Sequence, residues 1–308
     1  MKILALEASG PTAGCAIAED GKIIGEYNVN YGKTHSQTLV PMLDELRRQT
    51  ELDLRDVDAI ALTAGPGSFT GLRIGAATAK GIALGLEKPI LAVSTLESLA
   101  FNLYGTDALI CPIMDARRAQ VYTAVYEGRG KRAPRTSGGS ALPCLLSPQP
   151  MAMEELIRRL NEVGREVIFL GDGVPVYRAM IEKDLLVPHL YAPGHLSLQR
   201  AASTAVLAGL LYEERGAAAL TDADEFRPEY LRRTQAEQQR EKAEKTGRMA
   251  ALSEGRLVKE LRAGDRPKTM ASDEATTIYS KGNDEERNIM YRSDVRHEFS
   301  DSLAGERS

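Results

Sequence analysis

Residues 58–85 read DAIALTAGPGSFTGLRIGAATAKGIALG. A short apolar run ends in a glycine-rich turn, and a helix-like segment follows. Phosphate-binding loops share this layout, so the first question is whether the glycines hold a nucleotide. A Walker loop requires G-x-x-x-x-G-K-[ST], with backbone N–H groups around the phosphates and a lysine reaching them. Here Gly67 and Gly71 are four apart, and Leu72 stands where lysine is needed. A dinucleotide fingerprint requires G-x-G-x-x-G. Gly65 and Gly67 begin one, but Thr70 occupies the third glycine position. Both templates fail.

The helix offers another reason for the glycines. Each glycine inside a helix costs roughly 1 kcal/mol against alanine, and this segment has Gly71, Gly75, Gly81 and Gly85. Close approach of another backbone is the usual compensation, because a face of small residues lets two elements pack at short distance. Gly71, Gly75, Thr78, Ala79 and Ile82 recur at spacings of three and four. This face meets either a partner helix or the chain's own sheet.

Working outward, KILALEAS (2–9), AGCAIAED (13–20) and KIIGEYNVN (22–30) read as three strands joined by turn residues. HSQTLVPMLDELRRQ (35–49) places Leu39, Met42, Leu43 and Leu46 on one helical face. DAIALTAG (58–65) reads as a buried strand, 69–86 as a helix, 89–94 as a strand and 95–104 as a helix. Three antiparallel strands followed by alternating strand–helix units predict an α/β fold with a mixed sheet. The order matches the ribonuclease-H-like lobe of actin-like proteins, so 1–106 is expected to be a first lobe. A second, smaller lobe is expected over 107–234. It begins with two strands flanking DARR (115–118), followed by a surface excursion over 128–150. Helices over 151–163, 175–185 and 197–215 and a strand over 166–171 complete it.

Residues 235–308 differ in kind. They hold 15 acidic, 14 basic and only 9 Leu, Ile, Val or Phe residues, too little apolar surface to close a core. A largely disordered charged tail is expected, with a solvated helix over QAEQQREKAEKTGRMAALSEGRLVKELR (235–262).

The 308 residues carry a formal charge of −4, so neither sign dominates and bulk-charge binding of nucleic acid is not indicated. Cys15, Cys111 and Cys144 are widely spaced with no CxxC pair, which argues against a disulfide framework or a thiolate zinc site. The start, MKILALEASG, is too short and too acidic for a signal peptide, and no apolar run reaches spanning length. A cytoplasmic protein with no membrane association is expected.

AGPGSFTGLRIG (64–75), with LALEASG at the start, HSQTLVPMLDELR (35–47), MDARRAQVY (114–122), GDG (171–173) and RPEYLRR (227–233), closely resembles the bacterial TsaB family, also called YeaZ or glycoprotease-like. The resemblance runs in order over about residues 1–235. It implies an actin-like (ASKHA) two-lobe fold. It further implies a non-catalytic paralogue of the TsaD subunit, acting with TsaD and the ATPase TsaE to put a threonylcarbamoyl group on the adenosine beside the anticodon of tRNA. The implied pairing surface is built from the helices at 35–49 and 69–86, and it supports homodimers when the partner is absent. On periodicity, the contact is expected to centre on Leu39, Met42, Leu43, Leu46, Leu72, Gly75, Thr78, Ala79 and Ile82, and Gly75→Arg is expected to block pairing with the fold intact.

Catalytic relatives hold a metal through two histidines in N-H-x-x-x-H. In this chain Thr95 and Leu99 stand at those positions, and leucine has no donor atom. His35 starts a helix, His189 and His195 fit no common ligand spacing, and His297 lies in the tail. No resident metal is expected. In the actin-like fold two hairpin turns hold phosphates and need small residues. EASGPTAG (7–14), with Ser9 and Thr12 as donors, retains that character and leaves room for weak ATP or ADP binding. At the second turn Arg117 and Arg118 replace small residues. They either fill the cleft, bind an anion such as phosphate or RNA backbone, or leave one arginine paired with Asp115. Gly171 and Gly173 line an adenosine pocket or simply turn the chain. There is no H-E-x-x-H and no G-x-S-x-G. The rivals to a non-catalytic subunit are an active ATP-dependent or glycoprotease-like enzyme of the same fold, and a homodimeric scaffold with no TsaD partner.

Overall fold

A computed structural model describes residues 1–32, 34–128 and 142–231. The first three strands are β1 (Lys2–Glu7), β2 (Ala13–Glu19) and β3 (Lys22–Val29). β1 and β2 pair antiparallel with Lys2 opposite Glu19 and Leu6 opposite Cys15. Asp20 and Gly21, both with positive φ, close the β2–β3 hairpin, as an Asp-Gly pair does in a tight primed turn. Helix α1 (His35–Gln49), strand β4 (Ala59–Gly65), helix α2 (Phe69–Leu86), strand β5 (Ile90–Ser94) and helix α3 (Thr95–Phe101) follow. β4 runs parallel to β1, and β5 parallel to β4.

The second lobe repeats this plan. β6 (Leu109–Asp115), β7 (Gln120–Glu127) and β8 (Cys144–Ala152) form an antiparallel trio, followed by α4 (Met153–Val163), β9 (Val167–Leu170), α5 (Val174–Asp184) and β10 (His189–Tyr191). The strand orders β3-β2-β1-β4-β5 and β8-β7-β6-β9-β10 are the same walk made twice. The α/β, actin-like two-lobe fold is therefore what the chain adopts.

Two expectations are corrected. Residues 144–152 form strand β8 rather than part of a surface excursion. Pro148 and Pro150 hid it, and β8 tolerates them because it is the edge of its sheet, where a missing N–H breaks no ladder. Residues 129–141 lie outside the described residues. Second, the chain does not stay in the second lobe to 234. Helix α6 (Ala201–Arg215) packs on the first sheet, and β11 (Leu220–Thr221) pairs antiparallel with β5.

Strand alternation explains the layers. Leu4, Leu6, Ile60 and Leu62 face α1 and α2, where Leu39, Met42, Leu43 and Leu46 meet them. Ile3, Ala5, Ala59 and Ala61 face the other way, against Ala201, Ala205 and Ala208 of α6. The small side chains on that face let α6 lie close. Glu26 of β3 anchors its start, accepting from Arg200 and from the Ala202 N–H. Burial alone would raise the Glu26 pKa, but these bonds hold it below the usual carboxylate range. Helix α3 joins the lobes: Leu96, Leu99 and Ala100 pack with Ile110, Met114 and Leu170 of the second sheet.

After β11 a strap returns along α2. Phe226 is buried in the α1–α2 core. Lys80 Nζ donates to the carbonyls of Asp224 and Phe226, and the Glu229 N–H to that of Ala64. Tyr230 packs on Phe69 at 5.3 Å between ring centroids, and Arg73 Nε donates to its hydroxyl at 3.3 Å. Residues 232–308, including the expected tail, its solvated helix and His297, lie outside the described residues.

Candidate functional site

The glycines of the opening stretch divide into two groups. A Cβ on Gly67 would stand 2.3 Å from the Ser9 carbonyl oxygen, and one on Gly71 would stand 2.1 Å from that of Ala8. One on Gly75 would stand 3.2 Å from the Ala8 Cβ. The Ser68 N–H donates to the Ser9 carbonyl at 2.7 Å, and the Ser68 hydroxyl caps α2 by accepting from the Gly71 N–H. These glycines seat the start of α2 directly on the β1–β2 turn. Gly81 and Gly85 differ: a Cβ on either meets nothing within 4 Å.

Most residues of the expected contact face pack within the chain. Leu39, Met42, Leu43, Leu46, Leu72, Gly75 and Ala79 are buried in their own lobe, and Thr78 and Ile82 are half-buried. Hydrophobic periodicity marks the face that a helix gives to its own sheet. The outward side of α2 carries Thr70, Arg73, Ala77, Gly81 and Leu84, with Leu84 51% exposed. On α1 the outward residues include Val40, 54% exposed, and Pro41. A Cβ at Gly75 would already press on Ala8, so Gly75→Arg strains the seat of α2 as well as any partner contact.

The first expected phosphate turn, residues 7–14, joins β1 to β2. Buried Glu7, at the end of β1, accepts from the Ser9 N–H at 2.7 Å, the Ser9 hydroxyl, and the Thr63 hydroxyl at 3.2 Å. Burial pushes the Glu7 carboxyl up, against the pull of those Ser9 and Thr63 bonds. Thr12 donates to Asn30 Oδ1 at 3.0 Å. Gln199 is 2% exposed and fills the space over Gly10, where a Cβ would stand 2.5 Å from its Nε2. His35 Nε2 lies 2.9 Å from the Gly10 carbonyl. Both donors expected at the first phosphate turn, Ser9 and Thr12, are thus engaged within the chain, and the backbone approach at Gly10 is occupied. Nothing local in the sequence marked Gln199, which reaches the turn only through the fold.

At the second turn Asp115 pairs with Arg117 at 3.2 Å and accepts from the Arg117 N–H at 2.9 Å. Arg118 is exposed and makes no ion pair among the described residues. Arg117, Arg118 and Ala119 all have positive φ, a left-handed conformation uncommon in residues other than glycine. Gly171 and Gly173 are explained by their own strand end: a Cβ on either would stand 2.2 Å or 2.9 Å from the Ile113 carbonyl. Ser9, Thr12 and Asp115 therefore all have partners within the chain. Neither Thr95 nor Leu99 supplies an imidazole. Leu99 lies in the apolar cluster with Leu96 and Leu170, while Thr95 is buried with its hydroxyl unpartnered. Among the described residues, no three His, Cys, Asp or Glu side chains are grouped to hold a metal ion. His189 packs beside Tyr191 and lies 3.4 Å from Glu182, and His195 is exposed. Cys15 and Cys111 are buried free thiols, and Cys144 is an exposed one.

Asp172, between Gly171 and Gly173, keeps its Oδ1 buried without a partner. Burial, helped by the nearby Asp115 charge, pushes its carboxyl up to about 6, against the pull of Arg117. A folded-state pKa above the unfolded one means that the folded chain holds the proton more tightly. Stability is therefore highest below about pH 4 for this group and falls as pH rises to about 6. Asp172→Asn is expected to remove that fall and gain on the order of 2 kcal/mol at pH 7. Urea denaturation of both proteins from pH 4 to 7 checks this; parallel profiles would refute the burial account.

A family profile described as TsaD, tRNA N6-adenosine threonylcarbamoyltransferase, matches residues 27–240. The tRNA threonylcarbamoyladenosine biosynthesis protein TsaB of Bacillus subtilis is 34% identical over 237 residues, 77% of this chain and 96% of that protein. This chain belongs to the TsaB family. TsaB of Haemophilus influenzae is 30% identical over 201 residues, 64% of this chain and 82% of its own length. The solved structure of YeaZ from Pseudomonas aeruginosa superposes with a TM-score of 0.61 at 27% identity, covering 75% of this chain and 99% of that one. The TsaB resemblance read from the glycine stretch thus extends through the whole two-lobe body. Among the described residues, no helix is long and apolar enough to cross a membrane.

Proposed function

We propose that this chain is the non-catalytic TsaB-type subunit of the machinery that makes threonylcarbamoyladenosine in tRNA. It pairs with a TsaD-type catalytic subunit, works beside a TsaE-type ATPase, and forms a homodimer when alone. Family membership supports the place in tRNA modification. The observation that supports the pairing role is the outward side of α2, where a Cβ on Gly81 or Gly85 would meet nothing within 4 Å among the described residues. The helix accepts the propensity cost of those glycines with no contact among the described residues to offset it. A partner backbone packed at short range supplies that contact. A subunit role also agrees with a cleft whose donors are engaged internally and whose Leu99 offers no metal ligand. The rival enzyme reading draws on the transferase profile.

Size-exclusion with light scattering, for the chain alone and mixed with its host's TsaD, tests the proposal. A one-to-one heterodimer replacing the homodimer is expected. A mixture that stays unpaired at micromolar concentration would refute it. Turnover of ATP by the purified chain without TsaD would favour the enzyme reading.

A further inference from the structure

Helix α1 starts without a side-chain cap. Its N-cap residue, Thr34, makes no capping hydrogen bond, and its first turn holds no acidic residue. A helix start leaves orphan N–H groups and is held by whatever neighbours it finds. Here the neighbour is the β1–β2 turn. His35, the first residue of α1, places Nε2 2.9 Å from the carbonyl oxygen of buried Gly10. A carbonyl only accepts, so Nε2 carries the hydrogen. His35 Nδ1 is buried without a partner, which leaves the Gly10 bond as the hydrogen bond that holds the ring among the described residues.

Helix α2 starts on the same turn, and successive carbonyls receive the two helices. That of Ala8 lies 2.1 Å from where a Cβ on Gly71 would stand, that of Ser9 accepts from the Ser68 N–H at 2.7 Å, and that of Gly10 accepts from His35. The Gly71 Cβ would also stand 3.3 Å from His35 Cδ2, so the ring lies against the first turn of α2 as well. The turn itself is firmly held. Glu7 accepts from the Ser9 N–H and hydroxyl, and buried Gln199 packs over Gly10.

We propose that His35 is a positioning residue, which hooks α1 to the Gly10 carbonyl and so sets α1 against α2. Resting on the pairing role proposed above, the hook fixes where Val40 and Pro41 of α1 stand relative to Gly81 and Leu84 of α2. One partner surface must meet both sets together, and the core of a protein contact is packed as densely as a protein interior, with no room for a displaced helix. His35 acts through Gly10, not through the partner.

Variants of the full chain test the hook. His35→Gln keeps an N–H donor near the place of Nε2, His35→Phe keeps a ring without that donor, and His35→Ala removes both. Hydrogen exchange is read on the chain alone, carrying Gly81→Arg so that homodimers do not mask α1. The backbone amides of residues 39–43 report on α1, and those of residues 156–160 in α4 serve as the internal reference. About tenfold faster exchange in α1 is expected for His35→Phe and His35→Ala, the scale of a buried carbonyl losing its donor. The α4 rates should stay unchanged, and His35→Gln should restore the native rate in α1. Without Gly81→Arg, affinity for the host's TsaD by isothermal titration should fall about tenfold for the first two variants and return with glutamine. Unchanged exchange in α1, equal acceleration of α1 and α4, or a glutamine variant as fast as the phenylalanine one would overturn the hook. Faster α1 exchange with native TsaD affinity would overturn its part in pairing. The exchange measurement does not involve TsaD, so it decides the hook even if the pairing role fails.

Discussion

Gly81→Arg is expected to abolish pairing, both with a TsaD-type subunit and between copies of the chain, while the fold survives. The position is exposed, and a Cβ there meets nothing within 4 Å among the described residues. Arginine is also the better helix former, so the isolated subunit should be slightly more stable. In a close helix–helix contact the same side chain holds the backbones apart and places a charge where the site is dry. A loss of at least 100-fold in affinity is expected, equivalent to about 2.7 kcal/mol. Isothermal titration with TsaD, alongside thermal denaturation of the variant alone, separates the two effects. Unchanged affinity would remove α2 from the interface.

The second large effect is a reversal of sign within one helix. Gly71→Ala places a methyl group 2.1 Å from the Ala8 carbonyl oxygen, a backbone atom that cannot turn away. The β1–β2 turn and the start of α2 must then separate, which costs about 3 kcal/mol or more, at the upper end of overpacking effects. Gly81→Ala makes the same chemical change with no neighbour and should gain about 1 kcal/mol from helix propensity. In a body of this size those differences correspond to a fall of roughly 10 °C and a rise of about 3 °C in melting temperature. Two thermal denaturation curves decide the matter. A pair of equal shifts would show that propensity alone governs these glycines.

The two sets of glycines also show where sequence reasoning stopped. Spacing located the helix and showed that its glycines were costly. It could not say which backbone each one faces. The periodic residues from Leu39 to Ile82 were selected because they recur, and they recur because they serve the chain's own sheet. A docking face leaves a weaker trace, since it must also tolerate water before a partner arrives. Sequence showed the same limit at the cleft. Ser9, Thr12 and Arg117 were visible as polar residues in expected turns. Their engagement with Glu7, Asn30 and Asp115 was set by side chains brought from other strands or held by local turn geometry.

By itself the amino-acid sequence determined the order of strands and helices from β1 to α3, the family, and the absence of an imidazole at position 99. Those properties depend on local periodicity and on residue identity, which a linear chain carries in full. Tertiary structure alone decided that residues 144–152 are an edge strand, that α6 and the strap return to the first sheet, that Gln199 closes over Gly10, and that the open side of α2 runs through Gly81. Each depends on which segments distant in sequence come within a few ångströms, and burial of a shared core fixes that, not the preference of any one segment.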